Sequence, residues 1–97
     1  MSVSEVVDSL TAMAALLGLE VTNVTVKRVT GLPVRVYDVA ECKLAGDWHT
    51  WELGIRSCSD RKITFFLWDS RETRALLNRC GVKHLRISEE MQLWFDV

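Results

Sequence analysis

The chain has 97 residues, of which 48% are apolar and 26% charged, and its formal charge is −1 at neutral pH. A chain of this length fits one domain, spanning residues 1–97, that buries roughly two thirds of the surface exposed when unfolded. One proline and five glycines exclude a linker or low-complexity tail, and the apolar fraction excludes intrinsic disorder.

Near-neutral charge removes the long-range pull on phosphate that a basic domain exerts, so nucleic acid is unsupported as a partner. Cys42, Cys58 and Cys80 are odd in number, and their wide spacing fits neither a disulfide framework nor a Cys-x-x-Cys metal half-site. Reduced thiols in a cytoplasmic, intracellular compartment are the simpler expectation. The opening Met1-Ser2-Val3-Ser4-Glu5 lacks the basic and apolar regions of a signal peptide. No stretch approaches the roughly 18 consecutive apolar residues of a membrane span.

In chain order, Val3, Val6, Val7, Leu10, Met13, Ala14 and Leu17 recur at helical spacing and predict an amphipathic first helix, capped by Ser2 with Glu5 and stopped by Gly18. From Val21 the period becomes two. Val24 and Val26 alternate with Thr25 and Lys27, and Thr30 to Pro33 supplies a turn. The second strand places Val34, Val36, Ala40, Cys42 and Leu44 on one face, interrupted by Asp38, which a β-bulge would turn outward. After a tight connection at Ala45-Gly46-Asp47, His49, Trp51, Leu53 and Ile55 line the inner side of a third strand. Its outer side carries Trp48, Thr50, Glu52, Gly54 and Arg56.

Residues 63–68 read Ile-Thr-Phe-Phe-Leu-Trp, a strand with large apolar side chains on both faces. Asp69 with Glu72 predicts the cap of a second helix, whose buried stripe is Ala75, Leu76, Leu77 and Cys80 and whose stop is Gly81. Val82–Ile87 and Leu93–Val97 predict one or two short closing strands around a Ser88-Glu89-Glu90 turn. The whole predicts an α+β two-layer sandwich: N-terminal helix, four-stranded antiparallel meander, second helix and closing strands, with both helices on one side of the sheet.

If both helices cover the inner face, the outer face holds Trp48, Phe66, Trp68 and Trp94, mixed with Tyr37, Arg35, Arg56, Thr64 and Gln92. An aromatic cluster of that kind exceeds what monomers leave in water and predicts a contact with another protein or a second copy of the chain. The expected function is a non-enzymatic protein-binding module, an adaptor, assembly subunit or small inhibitor, with the tryptophans and Phe66 central and Arg35, Tyr37 and Arg56 at the rim.

Two alternatives use the same residues differently. The aromatics could stack the bases of single-stranded nucleic acid, although Glu41, Glu52 and Asp96 offset the charges of Lys27, Arg35, Lys43 and Arg56. Cys42 and His49 could meet across the tight connection as a thiolate-imidazole pair for a small enzyme, against which stands their predicted inward direction. His84, beside Lys83, reads as a surface residue. The run from Asp69 to Arg74 opens a helix, but its own carboxylates occupy the anion position. No nucleotide-binding, α/β-hydrolase or zinc-protease string occurs, so no cofactor or metal is expected.

The helix-strands-helix order also occurs in double-stranded RNA-binding domains, RWD-type interaction domains and type III secretion chaperones. The second helix here opens with acids where the first of these wants lysines, and Pro33, the sole proline, cannot rebuild the tyrosine-proline pattern of the second. The likeness stops at topology, which says little about function.

Overall fold

A computed structural model describes residues 3–29, 35–57, 63–87 and 91–95, with side chains described for all of these except 26–29, 35–37, 57 and 84–87. Helix α1 (Val3–Leu16) leads into strands β1 (Glu20–Val29), β2 (Arg35–Lys43), β3 (Thr50–Ser57) and β4 (Ile63–Trp68). Helix α2 (Arg71–Arg79) and strands β5 (His84–Ile87) and β6 (Gln92–Phe95) follow.

Helix α1 forms because Val6, Leu10, Met13 and Ala14 fall on one face and are all buried. Val3 departs from that expectation and is 82% exposed. The helix ends where predicted, in a Schellman motif with Gly18 at φ 74°. There the Gly18 N–H donates to the Ala15 carbonyl at 3.0 Å and the Leu19 N–H to the Ala14 carbonyl at 2.8 Å. Gly81 (φ 72°) closes α2 in the same way, with Val82 N–H donating to the Leu77 carbonyl at 2.9 Å. The expected Ser2 cap and the turns at 30–33 and 88–90 lie outside the described residues.

The strands form one antiparallel sheet in the order β1-β2-β3-β4-β6-β5. Strands β4 and β5 therefore run in the same direction two positions apart, and the antiparallel pairing of β6 with both fills the gap. Antiparallel neighbours can be joined by a short turn, whereas parallel strands need a crossover, and α2 supplies it. On the inner face Ala40, Cys42, Trp51, Leu53, Ile55, Phe65, Leu67, Leu93 and Phe95 join the apolar sides of both helices in one core. Both helices thus lie on one side of the sheet, the two-layer α+β sandwich the sequence predicts.

Four local expectations are corrected. Asp38 sits in regular register opposite Val26 and Ile55, and the irregularity in the β1–β2 ladder falls instead between Val21 and Asn23. Asp38 keeps its inward parity and remains half-buried toward the end of the core. The cap of α2 is Ser70, in extended backbone, whose Oγ accepts from the Thr73 N–H at 3.0 Å. Asp69 instead takes a two-pronged contact from Arg74 at 2.8 and 3.0 Å, which raises the guanidinium pKa further above its ordinary value through hydrogen bond and charge. Ala75 is exposed, and Thr73 takes the buried position beside Leu76 and Leu77. Strand β3 starts at Thr50, leaving Trp48 and His49 in the preceding connection.

The outer face has a core of its own. One cross-strand row runs Thr25, Val39, Gly54, Phe66, Trp94 and Arg86. Within it Val39 is 2%, Phe66 0% and Trp94 2% exposed, with Trp68 packed alongside. The Phe66 ring lies across Gly54, so that a Cβ at position 54 would run into the ring itself. The ring cannot swing away, because Trp94 (4.9 Å between centroids) and Trp68 (5.5 Å) flank it.

Gly54→Ala is therefore expected to cost about 2–3 kcal/mol by overpacking. In a Phe66→Leu background the same substitution should cost clearly less, because the two positions share one space. Urea unfolding of the four proteins measures the coupling, and strict additivity would contradict the packing described.

Candidate protein-binding surface

Of the seven residues predicted to form one exposed contact face, five have described side chains, and these differ in exposure. Phe66 and Trp94 are on the predicted face but fully packed, so they cannot centre a contact with a partner. That corrects the expectation of an uncovered aromatic sheet. Gly54, whose missing side chain lets the Phe66 ring lie against the sheet, contributes to this packing together with Val39, Trp68 and Trp94 around the ring.

Trp68 is intermediate. It is half-buried, stands edge-on to Phe66, and its indole N–H donates to Glu52 Oε2 at 3.0 Å. The strand register puts Trp68 opposite Gln92, itself 1% exposed. Arg56 is exposed and pairs in register with Thr64. For Arg35 and Tyr37 the backbone is described, opposite Val29 and Lys27 in β1, while their side chains lie outside the described set.

Trp48 stands apart. It is 90% exposed, the highest value among the exposed large apolar residues described. The connection that carries it is held in place: Asp47 Oδ1 accepts from the Trp48 N–H at 2.7 Å and from the His49 N–H at 3.2 Å. The Asp47 N–H in turn donates to the Leu44 carbonyl at 3.0 Å. An aspartate that bonds backbone groups just ahead of it makes a local turn that competes with strand pairing, which is why β3 begins two residues later than predicted. Behind Trp48 an aromatic row leads inward. Its ring is edge-on to His49 at 6.4 Å, and His49 is edge-on to Trp51 at 4.4 Å, where Trp51 joins the main core. The Gly-Asp pair before Trp48 was the signal for this turn.

Cys42 and His49 are not brought together as a pair. Cys42 faces Trp51 across the β2–β3 ladder, and His49 spends its ring on the two tryptophans. The Cys42 S–H donates to the Ala40 carbonyl at 3.7 Å. Burial pushes its pKa from 9.0 up to about 11, the opposite of the shift that activates a thiolate nucleophile. Cys80, the other described free cysteine, donates to the Leu17 carbonyl at 3.7 Å and ties the end of α2 to the end of α1.

Near the end of α2 an open cleft of about 420 Å³ is lined by Arg74, Leu77, Asn78, Val82 and Lys83. Asp69 already holds Arg74 there. Among the described residues no group of three or more His, Cys, Asp or Glu could hold a metal ion, and no helix is long and apolar enough to cross a membrane. No protein-family model, curated protein or solved structure matches the chain.

The raised thiol pKa gives a pH signature. Between pH 9 and 11 the unfolded chain ionises Cys42 and the folded chain does not, so the unfolded state binds fewer protons and stability falls as pH rises. The effect on wild type is expected to approach about 2–3 kcal/mol by pH 11. Subtracting the pH profile of Cys42→Ala from that of wild type isolates it from lysine and tyrosine titration. Parallel profiles would show that the thiol is not shielded.

Proposed function

We propose that the chain is a non-enzymatic protein-binding module, an adaptor, assembly subunit or small inhibitor, that contacts its partner through Trp48. The observation that carries this reading is a large indole that is 90% exposed on a turn fixed by Asp47. Tryptophan is the residue that contributes most per side chain at protein contacts, because it buries a large area while freezing only two torsions. A turn already ordered in the free chain reduces the entropy that binding must overcome. Half-buried Trp68 and exposed Arg56 remain as secondary candidates on the sheet face.

The same packing weakens base stacking as a function. Phe66 and Trp94 are removed from contact, and Glu52, which accepts from Trp68, places a carboxylate beside the ring that would stack. Phosphate repels such an arrangement.

The test compares wild type with Trp48→Ala in a pull-down from native host lysate. Because the side chain touches little of its own fold, stability should change by no more than about 0.5 kcal/mol. Partner retention should fall by the equivalent of about 2 kcal/mol, roughly thirtyfold. A folded Trp48→Ala protein that retains every partner at wild-type strength would reject the proposal.

A further inference from the structure

We infer that the free edge of β1 is a self-pairing surface, and that two copies of the chain join edge to edge in antiparallel fashion around Val24. Among the described residues β1 is paired on one side only, by β2. It is also the longer of the two sheet edges, with ten residues against four in β5. An unpaired edge of that length is a template for another strand unless the sequence blunts it.

The charges on β1 select the occupant. Its first residue is Glu20, and Lys27 and Arg28 stand near its end. Lysine on an edge normally discourages a foreign strand. Antiparallel self-pairing reverses that effect, because the acidic end of one copy meets the basic end of the other.

The register can be worked out from the faces. Val24 pairs with Ala40 on the helix side, whereas Asn23 and Thr25 pair with Glu41 and Val39 on the outer side, and the ladder continues without a shift to Lys27 opposite Tyr37. The extra residue at Thr22, whose hydroxyl donates to the Glu41 carbonyl at 3.0 Å, shifts the ladder so that Val21 lies inward and Glu20 outward. Directly opposed residues of antiparallel strands point to the same face. With the twofold axis at Val24, that condition sets Asn23 opposite Thr25, Val21 opposite Val26, and Glu20 opposite Lys27 of the second copy. Apolar positions meet apolar ones on the helix side, and opposite charges meet twice on the outer side. Val21 and Val24 pack against the core but remain only half-buried, so the second copy also covers the open rim of the core.

Pairing one strand from each copy makes a contact at the small end of the range for stable dimers, so association should depend on concentration. Sedimentation velocity over a concentration series is the first measurement, with wild type expected to move from monomer to dimer. Glu20→Lys and Lys27→Glu should each weaken self-association roughly tenfold, since each turns two favourable cross-strand pairs into like-charge pairs. An equimolar mixture of the two variants should recover wild-type association, because the mixed pair restores both charge matches.

A cross-link fixes the axis. In a Cys58→Ser/Cys80→Ser background, Val24→Cys should oxidise to a covalent dimer faster than Thr25→Cys. A wild-type chain that stays monomeric throughout overturns the inference. So does a dimer indifferent to Glu20→Lys, a mixture that fails to recover, or faster cross-linking at position 25. None of these outcomes bears on the Trp48 pull-down, so the two proposals fail separately.

Discussion

The fold depends on how the second face of the sheet is kept dry. Strand β4 carries Phe65 and Leu67 toward the helices and Phe66 and Trp68 away from them, and the described helices both lie on the first side. A third layer would be the usual remedy for a strand apolar on both sides. Here the Phe66 ring lies over the backbone at Gly54, in the cross-strand row between Val39 and Trp94. Truncating a ring buried in this way typically costs about 3–5 kcal/mol, a large share of the stability a domain of this size possesses.

The same requirement accounts for the strand order. Trp94 closes the row only if β6 lies directly against β4, where the register sets Trp94 opposite Phe66. A simple continuation of the meander would put β5 there instead, with His84 to Ile87 beside the ring. The α2 crossover carries the chain past the vacancy, and the return through β6 fills it with Gln92, Leu93, Trp94 and Phe95, all buried. Leu93 and Phe95 complete the inner core while Trp94 completes the outer one.

Periodicity made the faces legible but not the rows. Alternation alone assigned Trp51, Leu53, Ile55, Phe65 and Leu67 to the helix side, and they lie there. Which residue of β3 stands beside Phe66 depends on pairing register, and register is set across a turn rather than within a strand. Gly54 therefore looked like one more outer position, although it decides whether the aromatic face is open or closed. Local competition explains the smaller differences. Ser70 caps α2 because Asp69 is taken by Arg74, and Trp48 leaves the strand because Asp47 holds the backbone on either side of it. Asp38 lies where alternation placed it, in regular pairing.

With Phe66 and Trp94 buried, the two features proposed to engage other molecules sit at the margins of the sheet, and their placement is related. The connection bearing Trp48 follows Lys43, and Lys43 pairs with Glu20 at the start of β1. Each Trp48 turn thus lies toward the Glu20 end of its own edge strand. In an antiparallel pair centred on Val24 the two Glu20 ends point in opposite directions, four residues either side of the axis. Because Thr22 is the extra residue, this is three ladder steps on each side, so at about 3.4 Å per step the two Glu20 positions would lie roughly 20 Å apart along the strand direction, with the turns beyond them. Self-pairing would then leave both indoles accessible and present them as two outlying contacts. A partner with two matching sites would gain from the second contact as an effectively intramolecular step, whereas a partner with one site would bind either chain independently.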